Sequence, residues 1–294
     1  MQPYSPEGLL AKPPDLDALR RGERTQEIFR AMCVKCDEFH NLYVDLGEIQ
    51  GVIPHEEAAA DIMHGNQREY SIISRVGKPV CFQVMGFRED GTALLSRKAA
   101  MVDARSFCLN ALRPGDILNA CVVSAACFGV FCDIGCGYTA LMPIQRCCIS
   151  RLLTTADLFQ PGQSICAAVL EIQEHLGRIV LTGRELLGTW EENAEGFRQG
   201  QIVTGVIRSI MPYGIFVELT PNLSGLAEYV PGMAVGEWVS VFLRAILPEK
   251  HKIKMNILER VAPPLERKPL EYFITSGHIR RWEYYPGSRA VTCF

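Results

Sequence analysis

No apolar run in this 294-residue chain approaches the roughly eighteen residues that a membrane span needs. Its opening, Met1-Gln-Pro-Tyr-Ser-Pro-Glu7, lacks the basic and apolar regions of a secretory signal, so the expectation is a cytoplasmic protein without membrane attachment. Charge of one sign is also lacking. A formal net charge of -3 weighs against indiscriminate duplex binding, which depends on neutralising phosphates, and leaves room only for a local basic groove. The histidines His40, His55, His64, His175, His251 and His278 form no metal-binding pair at helical spacing, and there is no phosphate loop or nucleophile elbow. The chain is therefore expected not to be an enzyme and to have no small-molecule substrate. Cys33-Val-Lys-Cys36 has zinc or redox spacing but no second pair at a finger-like distance, so no metal and no cofactor is expected.

What the chain has is apolar residues, 48% of the total, in the proportion of ordinary globular domains. Many of its 12 cysteines, among them Cys81, Cys121, Cys127, Cys132 and Cys166, fall inside strand-like runs and read as small hydrophobes of a reducing compartment. Cys147-Cys148 reads as packing or surface. Basic residues gather in the last third: Arg244, Lys250, Lys252, Lys254, Arg260, Arg267, Lys268, Arg280 and Arg281.

The strongest pattern is internal repetition. Leu19-Arg-Arg-Gly22, Leu112-Arg-Pro-Gly115 and Phe197-Arg-Gln-Gly200 each read as the glycine end of a helical pattern ahead of a β-rich run. Three further landmarks follow in fixed order. They are Val44-Asp-Leu-Gly47, Cys132-Asp-Ile-Gly135 and Val217-Glu-Leu-Thr220; then Gly51-Val-Ile-Pro54, Thr139-Ala-Leu-Met-Pro143 and Gly225-Leu-Ala-Glu228; then Ala93-Leu-Leu-Ser-Arg97, Ile179-Val-Leu-Thr182 and Ile253-Lys-Met-Asn256. A period of roughly 85 to 90 residues, shorter in the third copy, is too long for a solenoid and suits a small domain. Each copy reads as five strands, in the second about 116–124, 128–134, 138–142, 163–172 and 177–182. Five short antiparallel strands with a long excursion after the third fit the oligonucleotide/oligosaccharide-binding (OB) barrel, whose closure removes exposed sheet edges.

The expected fold is mainly β: three tandem five-stranded OB-fold barrels joined by helical linkers, with a small β C-terminal extension. The boundaries are an N-terminal arm over 1–18, repeats over 19–98, 113–183 and 199–260, linker helices over 99–112 and 184–198, and the extension over 261–294. Ala100, Met101, Ala104, Phe107, Cys108, Ala111 and Leu112 share one face of the first linker, and Leu186, Leu187, Trp190, Ala194 and Phe197 one face of the second. Asp15 is placed to cap a short helix through Leu16 and Leu19. The aromatic tail, including Trp282, Tyr284 and Tyr285, reads as core packed on the third barrel.

Gly205-x-x-x-x-Ile-x-x-Tyr-Gly-Ile-Phe-Val-Glu-Leu219, followed by Gly225-Leu-Ala, resembles the S-one RNA-binding domain, the repeat of the ribosomal S-one proteins. Phe128-Gly-Val-Phe131, Asp133-Ile-Gly135 and Gly177-Arg-Ile-Val-Leu-Thr182 match it in the second copy, and the resemblance covers about residues 20 to 260. It implies a face lined by two aromatics, a histidine, an aspartate and an arginine. The aromatics become Phe128 and Phe131, then Tyr213 and Phe216; the arginine becomes Arg178, with Lys252 in the third copy. The histidine position holds Pro143 and Glu228, and the aspartate position Gln173 and Pro248. In the first copy His40, Tyr43, Pro54 and Thr92 stand at these places, which implies a docking module for the small ribosomal subunit rather than an RNA reader.

The expected function is single-stranded RNA (mRNA) binding in translation or RNA metabolism, by stacking on Phe128, Phe131, Tyr213 and Phe216 with Arg178, Lys252 and Lys254 on phosphates and Arg208 extending the groove. The alternative is a docking scaffold that has lost RNA binding in some repeats. Two readings of the residues stay open. Phe128 and Phe131 have an odd separation and fall on opposite faces of a regular strand, unless a turn or bulge near Gly129 brings both outward. Lys250, Lys252 and Lys254 line either a nucleic-acid groove or a solvated strand edge.

Overall fold

The computed structural model describes residues 4–8, 12–60, 66–265 and 268–294, with side chains left aside for 66–68. His64, Arg267 and the first three residues of the arm lie outside the described residues. In chain order the elements are α1 (Leu16–Thr25), β1 (Ile28–Cys36), β2 (Leu42–Asp45), β3 (Gln50–Ile53), α2 (Asn66–Ile73), β4 (Pro79–Phe87) and β5 (Ala93–Ser96). The second unit follows with α3 (Arg97–Ala111), β6 (Ile117–Ala126), β7 (Gly129–Asp133), β8 (Thr139–Pro143), β9 (Ser164–Gln173) and β10 (Arg178–Thr182). Then come α4 (Trp190–Ala194), β11 (Ile202–Met211), β12 (Gly214–Thr220), β13 (Leu223–Ala227), β14 (Trp238–Leu247), β15 (Lys252–Arg260), β16 (Arg281–Glu283) and β17 (Val291–Cys293).

Each unit is a closed five-stranded barrel with the same neighbours: β1-β2-β3-β5-β4, the equivalent β6 to β10, and β11-β12-β13-β15-β14. The third and fifth strands of each run parallel, as at Val52↔Leu94, Leu141↔Val180 and Leu226↔Lys254, and this contact closes the sheet. Alternation sends one set of side chains inward. Leu42, Val44, Phe82 and Leu95 fill the first barrel, Val130, Met142, Ile179 and Leu181 the second, and Ile215, Val217, Val241 and Met255 the third. Burying each such side chain is worth roughly 1.5–3 kcal/mol.

The junction landmarks need one correction. Gly115 and Gly200 sit two residues before their barrels' first strands with φ of +93° and +88°, but Gly22 lies inside α1. The equivalent residue is Gln26, φ +55°, the left-handed cap of α1, which accepts the strain that the glycines avoid. Gly22 serves another need, because a Cβ there would lie 2.2 Å from the Phe29 ring. Asp15 caps α1 as expected, accepting from Ala18 N at 2.7 Å.

The linkers differ in length. α3 is a 15-residue helix that buries Ala100, Ala104 and Cys108. α4 has only 5 residues, because Thr189 and Glu192 form a capping box that starts it at Trp190; Leu186 and Leu187 are buried in the turn before it. The arm is irregular yet held fast: Glu7 is buried between the first two barrels, where its carboxylate accepts from Arg97 at 2.7 Å twice and from Arg75 at 3.2 Å, and its N–H donates to Asp133. At the other end β16 and β17 form a hairpin whose Trp282 and Tyr284 belong to the third barrel's core. The tail also straps the last two barrels together, through Ile117 N to Gly277 O, Ile279 N to Gly115 O, and the Tyr284 hydroxyl donating to Asn222 O.

Candidate nucleic-acid interface

The outer face of each barrel can be read straight across its ladders, since residues paired across a ladder point the same way. In the second barrel the row runs Ser124, Phe131, Leu141, Val180, Glu171; in the third it runs Ser209, Phe216, Leu226, Lys254, Ala245. In the first it runs Lys35, Tyr43, Val52, Leu94, Gly86. One aromatic therefore stands at the same point of all three faces.

The parity question over Phe128 and Phe131 is resolved by the turn. Phe128 precedes β7 and belongs to the turn, so strand alternation does not apply to it, and its ring reaches back toward Phe131. Their centroids are 5.9 Å apart with planes at 85°; Tyr213 and Phe216 repeat this at 6.3 Å and 89°. The turn rings are 55% and 68% exposed, while Phe131 and Phe216 are half-buried. An edge-to-face pair leaves ring faces free for a base to stack on. The glycine after each turn ring is required, since a Cβ would come within 2.7 Å of Met142 O at Gly129 and 2.5 Å of Ala227 O at Gly214.

Arg178, Lys252 and Lys254 are exposed. Arg178 and Lys252 open the equivalent strands β10 and β15, and each shares the outer face with the residue two positions on, Val180 and Lys254. The turns that present them are braced by the linker helices. Arg105 of α3 lies against Gly177. His251, at φ +48°, stacks on Tyr285 at 4.1 Å, meets Trp190 edge-on and places Nε2 2.9 Å from Glu191.

Arg208 is a correction. Expected on the binding groove, it is 7% exposed and committed inside the protein. Its Nε and Nη2 donate to Glu218 at 2.8 and 3.0 Å, and its Nη1 donates to Asp157 at 2.8 Å. Burial works against the charged guanidinium, but the two carboxylates outweigh it and raise its pKa. The reason is a β-bulge: Ile207 pairs with Val217 and Ser209 with Phe216, so Arg208 is the extra residue and turns toward the second barrel.

The strand aromatic of the first barrel is half-buried like Phe131 and Phe216 but has polar partners that they lack. Asp37 accepts from Phe39 N, from Asn41, and from the Tyr43 hydroxyl at 3.2 Å, while Lys35 Nζ sits 5.5 Å from the Tyr43 ring centroid. The Asp37 hydrogen bond, with burial, raises the Tyr43 pKa. His40, in the place of Phe128 and Tyr213, turns into the left-handed region at φ +60° and lies 5.8 Å from the His55 ring. Thr92 stands where the other barrels have Arg178 and Lys252.

Sequence reasoning passed over the centre of the row. Leu141 and Leu226 are half-buried apolar residues on the outer face, between the aromatic and the cationic strand. Their signal was there in the alternation of Thr139-Ala-Leu-Met-Pro143, which sends Ala140 and Met142 inward and Leu141 out.

No protein-family model matches the chain. It is 27% identical over 216 residues to the small ribosomal subunit protein bS1 homolog of Bacillus subtilis, covering 71% of this chain and 54% of that protein. It is 25% identical over 233 residues to small ribosomal subunit protein bS1 of Staphylococcus aureus, covering 74% of this chain and 58% of that protein. The chain thus spans a little over half the length of these curated relatives. Among solved structures, a multidomain protein with nucleic acid binding domains from Streptococcus pneumoniae aligns over 82% of this chain and 76% of its own, at 14% identity and a TM-score of 0.27, too distant to bear on the site.

Proposed function

We propose that this chain, a three-barrel relative of small ribosomal subunit protein bS1, is a non-enzymatic RNA-binding protein that holds single-stranded RNA on its second and third barrels and acts in translation or RNA metabolism in the cytoplasm. The observation that carries the reading is the repetition of one geometry, an exposed turn aromatic edge-on to a strand aromatic, beside a solvent-facing cation on the fifth strand. Bases stack on the rings without regard to identity, at about 1–3 kcal/mol each. Arg178, Lys252 and Lys254 meet phosphates; Lys252 does so as a point charge without the planar fork of arginine. Fixed in tandem by the tail strap, the two faces gain affinity by holding one strand at two points.

A second reading applies to the first barrel alone. Its aromatic is taken up by Lys35 and Asp37, which favours a docking role toward the small ribosomal subunit over contact with RNA.

The test is a fluorescence-anisotropy titration of a labelled single-stranded RNA oligonucleotide at two salt concentrations. Three phosphate contacts give a log–log salt slope of about -2. Tyr213→Ala with Phe216→Ala weakens binding by roughly tenfold or more. Absence of saturable binding at low salt, or unchanged affinity in the double variant, overturns the proposal.

A further inference from the structure

The third barrel's outer face carries a feature the second lacks. Beyond Ala227, which points inward, β13 delivers Glu228 to the outer face beside Gly214, one residue from Tyr213; Pro143 fills this place in the second barrel, paired with Gly129. The Glu228 side chain is 74% exposed, and Arg244 Nη1 holds it at 3.2 Å. The parallel pairing of Ala227 with Met255 brings Asn256 alongside, on the same outward alternation as Lys252 and Lys254. Asn256 Oδ1 is shielded from solvent and accepts no hydrogen bond from the described residues. Two acceptors therefore stand together at the edge of the stacking platform, one of them unsatisfied.

We propose that Glu228, supported by Asn256, makes the third barrel select guanine. The inference rests on the RNA-binding reading above and adds a base preference to it. A base stacked on the Phe216 ring, with the perpendicular Tyr213 ring flanking it, can turn its Watson–Crick edge toward β13. The carboxylate offers two oxygens and no donor. Guanine alone presents two adjacent donors on that edge, N1–H and the N2 amino group, and so matches both oxygens in a forked pair. Cytosine and adenine each place a ring-nitrogen acceptor beside their single amino donor, and uracil flanks its N3–H with two carbonyls; each sets a lone pair against the second carboxylate oxygen. Asn256 Oδ1, shielded in the free protein, gains a partner in the remaining N2 proton only when the Asn256 side chain turns toward the bound base. Arg244, freed from Glu228, is on the same surface to meet phosphate. The second barrel, with Pro143, has no side-chain acceptor at this point and stays indifferent to base identity.

The experiment titrates alternating decamers of uridine with guanosine, adenosine or cytidine, and a uridine decamer, against protein carrying Phe128→Ala so that the third barrel dominates. The expected result is about fivefold tighter binding of the guanosine decamer than of the others, at the lower end of what a bidentate pair gives. Glu228→Gln, which keeps the shape and replaces one acceptor with a donor, brings that ratio to within twofold while uridine binding persists; Asn256→Ala reduces it by less. Equal binding of all four decamers that is lost on Tyr213→Ala overturns the guanine preference and leaves the RNA-binding reading intact. Binding of none of them overturns both. A guanosine preference unchanged in Glu228→Gln overturns the assignment to this residue.

Discussion

The first and third barrels share a strand order and an outer ladder, yet they spend the same positions differently. In the third, the turn aromatic stands free, and lysines occupy the fifth strand at 252 and 254. In the first, a longer turn folds around Asp37, Lys35 lies over the strand aromatic, and Thr92 and Leu94 replace the lysines. Their attachments differ too. Both junctions hold buried charge, Glu7 with Arg97 and Arg75 between the first and second barrels and Arg208 with Asp157 between the second and third. Only the third barrel is also tied to the second by the tail's backbone hydrogen bonds. The roles proposed for the two barrels, docking for the first and RNA binding for the third, therefore rest on their faces and not on their junctions.

The largest effect comes from breaking the ionic junction at Glu7. Arg97→Met leaves the Glu7 carboxylate buried with only Arg75 for charge compensation, and an orphaned buried ion costs about 3–5 kcal/mol. The first transition in urea unfolding moves to lower denaturant, while an equivalent change at the exposed Arg244 leaves it in place. The same junction gives a pH signature. Burial, and then the Glu7 carboxylate, raise the pKa of Asp133 to about 7. Glu7 itself is lowered: burial pushes it up, and the Arg97 charge and hydrogen bonds outweigh that. A carboxyl raised on folding binds its proton more tightly in the native state, so its contribution is complete at acid pH and is lost as pH rises to about 7. Glu7 acts oppositely and only below its ordinary range. Between pH 5 and 7.5 wild-type stability therefore falls with rising pH by up to about 1.4 kcal/mol per unit, and Asp133→Asn flattens the slope. A slope of the opposite sign, or one unchanged in the variant, contradicts the assignment.

The barrels were legible from the sequence because each strand has a buried inner face, which enforces alternation and fixes register. Phe128, Phe131, Tyr213 and Phe216 were singled out by the family resemblance, and the facing of the first two stayed open until the turn placed Phe128 outside the strand. What escaped were features decided by tertiary contacts. The bulge that turns Arg208 inward leaves no mark on the local pattern, and its partner Asp157 lies 51 residues away. Gln26 hid behind Gly22 because a left-handed cap need not be glycine, while a glycine can be kept for a neighbouring ring. The polar surroundings of Tyr43 depend on Asp37 gathering three residues around itself, visible only once the turn is folded.

A smaller effect sharpens the comparison by moving the third barrel's charges onto the second. Val180 and Glu171 occupy the outer-row places of Lys254 and Ala245. Val180→Lys with Glu171→Ala adds one phosphate contact and removes a repelling carboxylate from the position next to it in the row. RNA affinity at low salt rises about threefold, and the salt slope steepens by roughly 0.7. An unchanged slope means that RNA does not pass over this row of the second barrel.

The smallest effect is the one that most directly tests the first barrel's face. Tyr43 occupies the register place of Phe131 and Phe216, so ring chemistry alone gives no reason for the first barrel to be silent. Its hydroxyl is engaged by Asp37 and its ring by Lys35, which puts a carboxylate, repellent to phosphate, where the other barrels leave a free ring edge. Phe39, 71% exposed at the tip of the same turn, stands apart from this row and makes no ring pair among the described residues. Tyr43→Ala and Phe39→Ser are therefore expected to leave RNA affinity within twofold of wild type in the anisotropy assay, measured well below the unfolding temperature. A fivefold loss in either variant would show that the first face opens to RNA, and the division between a docking barrel and a binding barrel would then fail at the residues on which it stands.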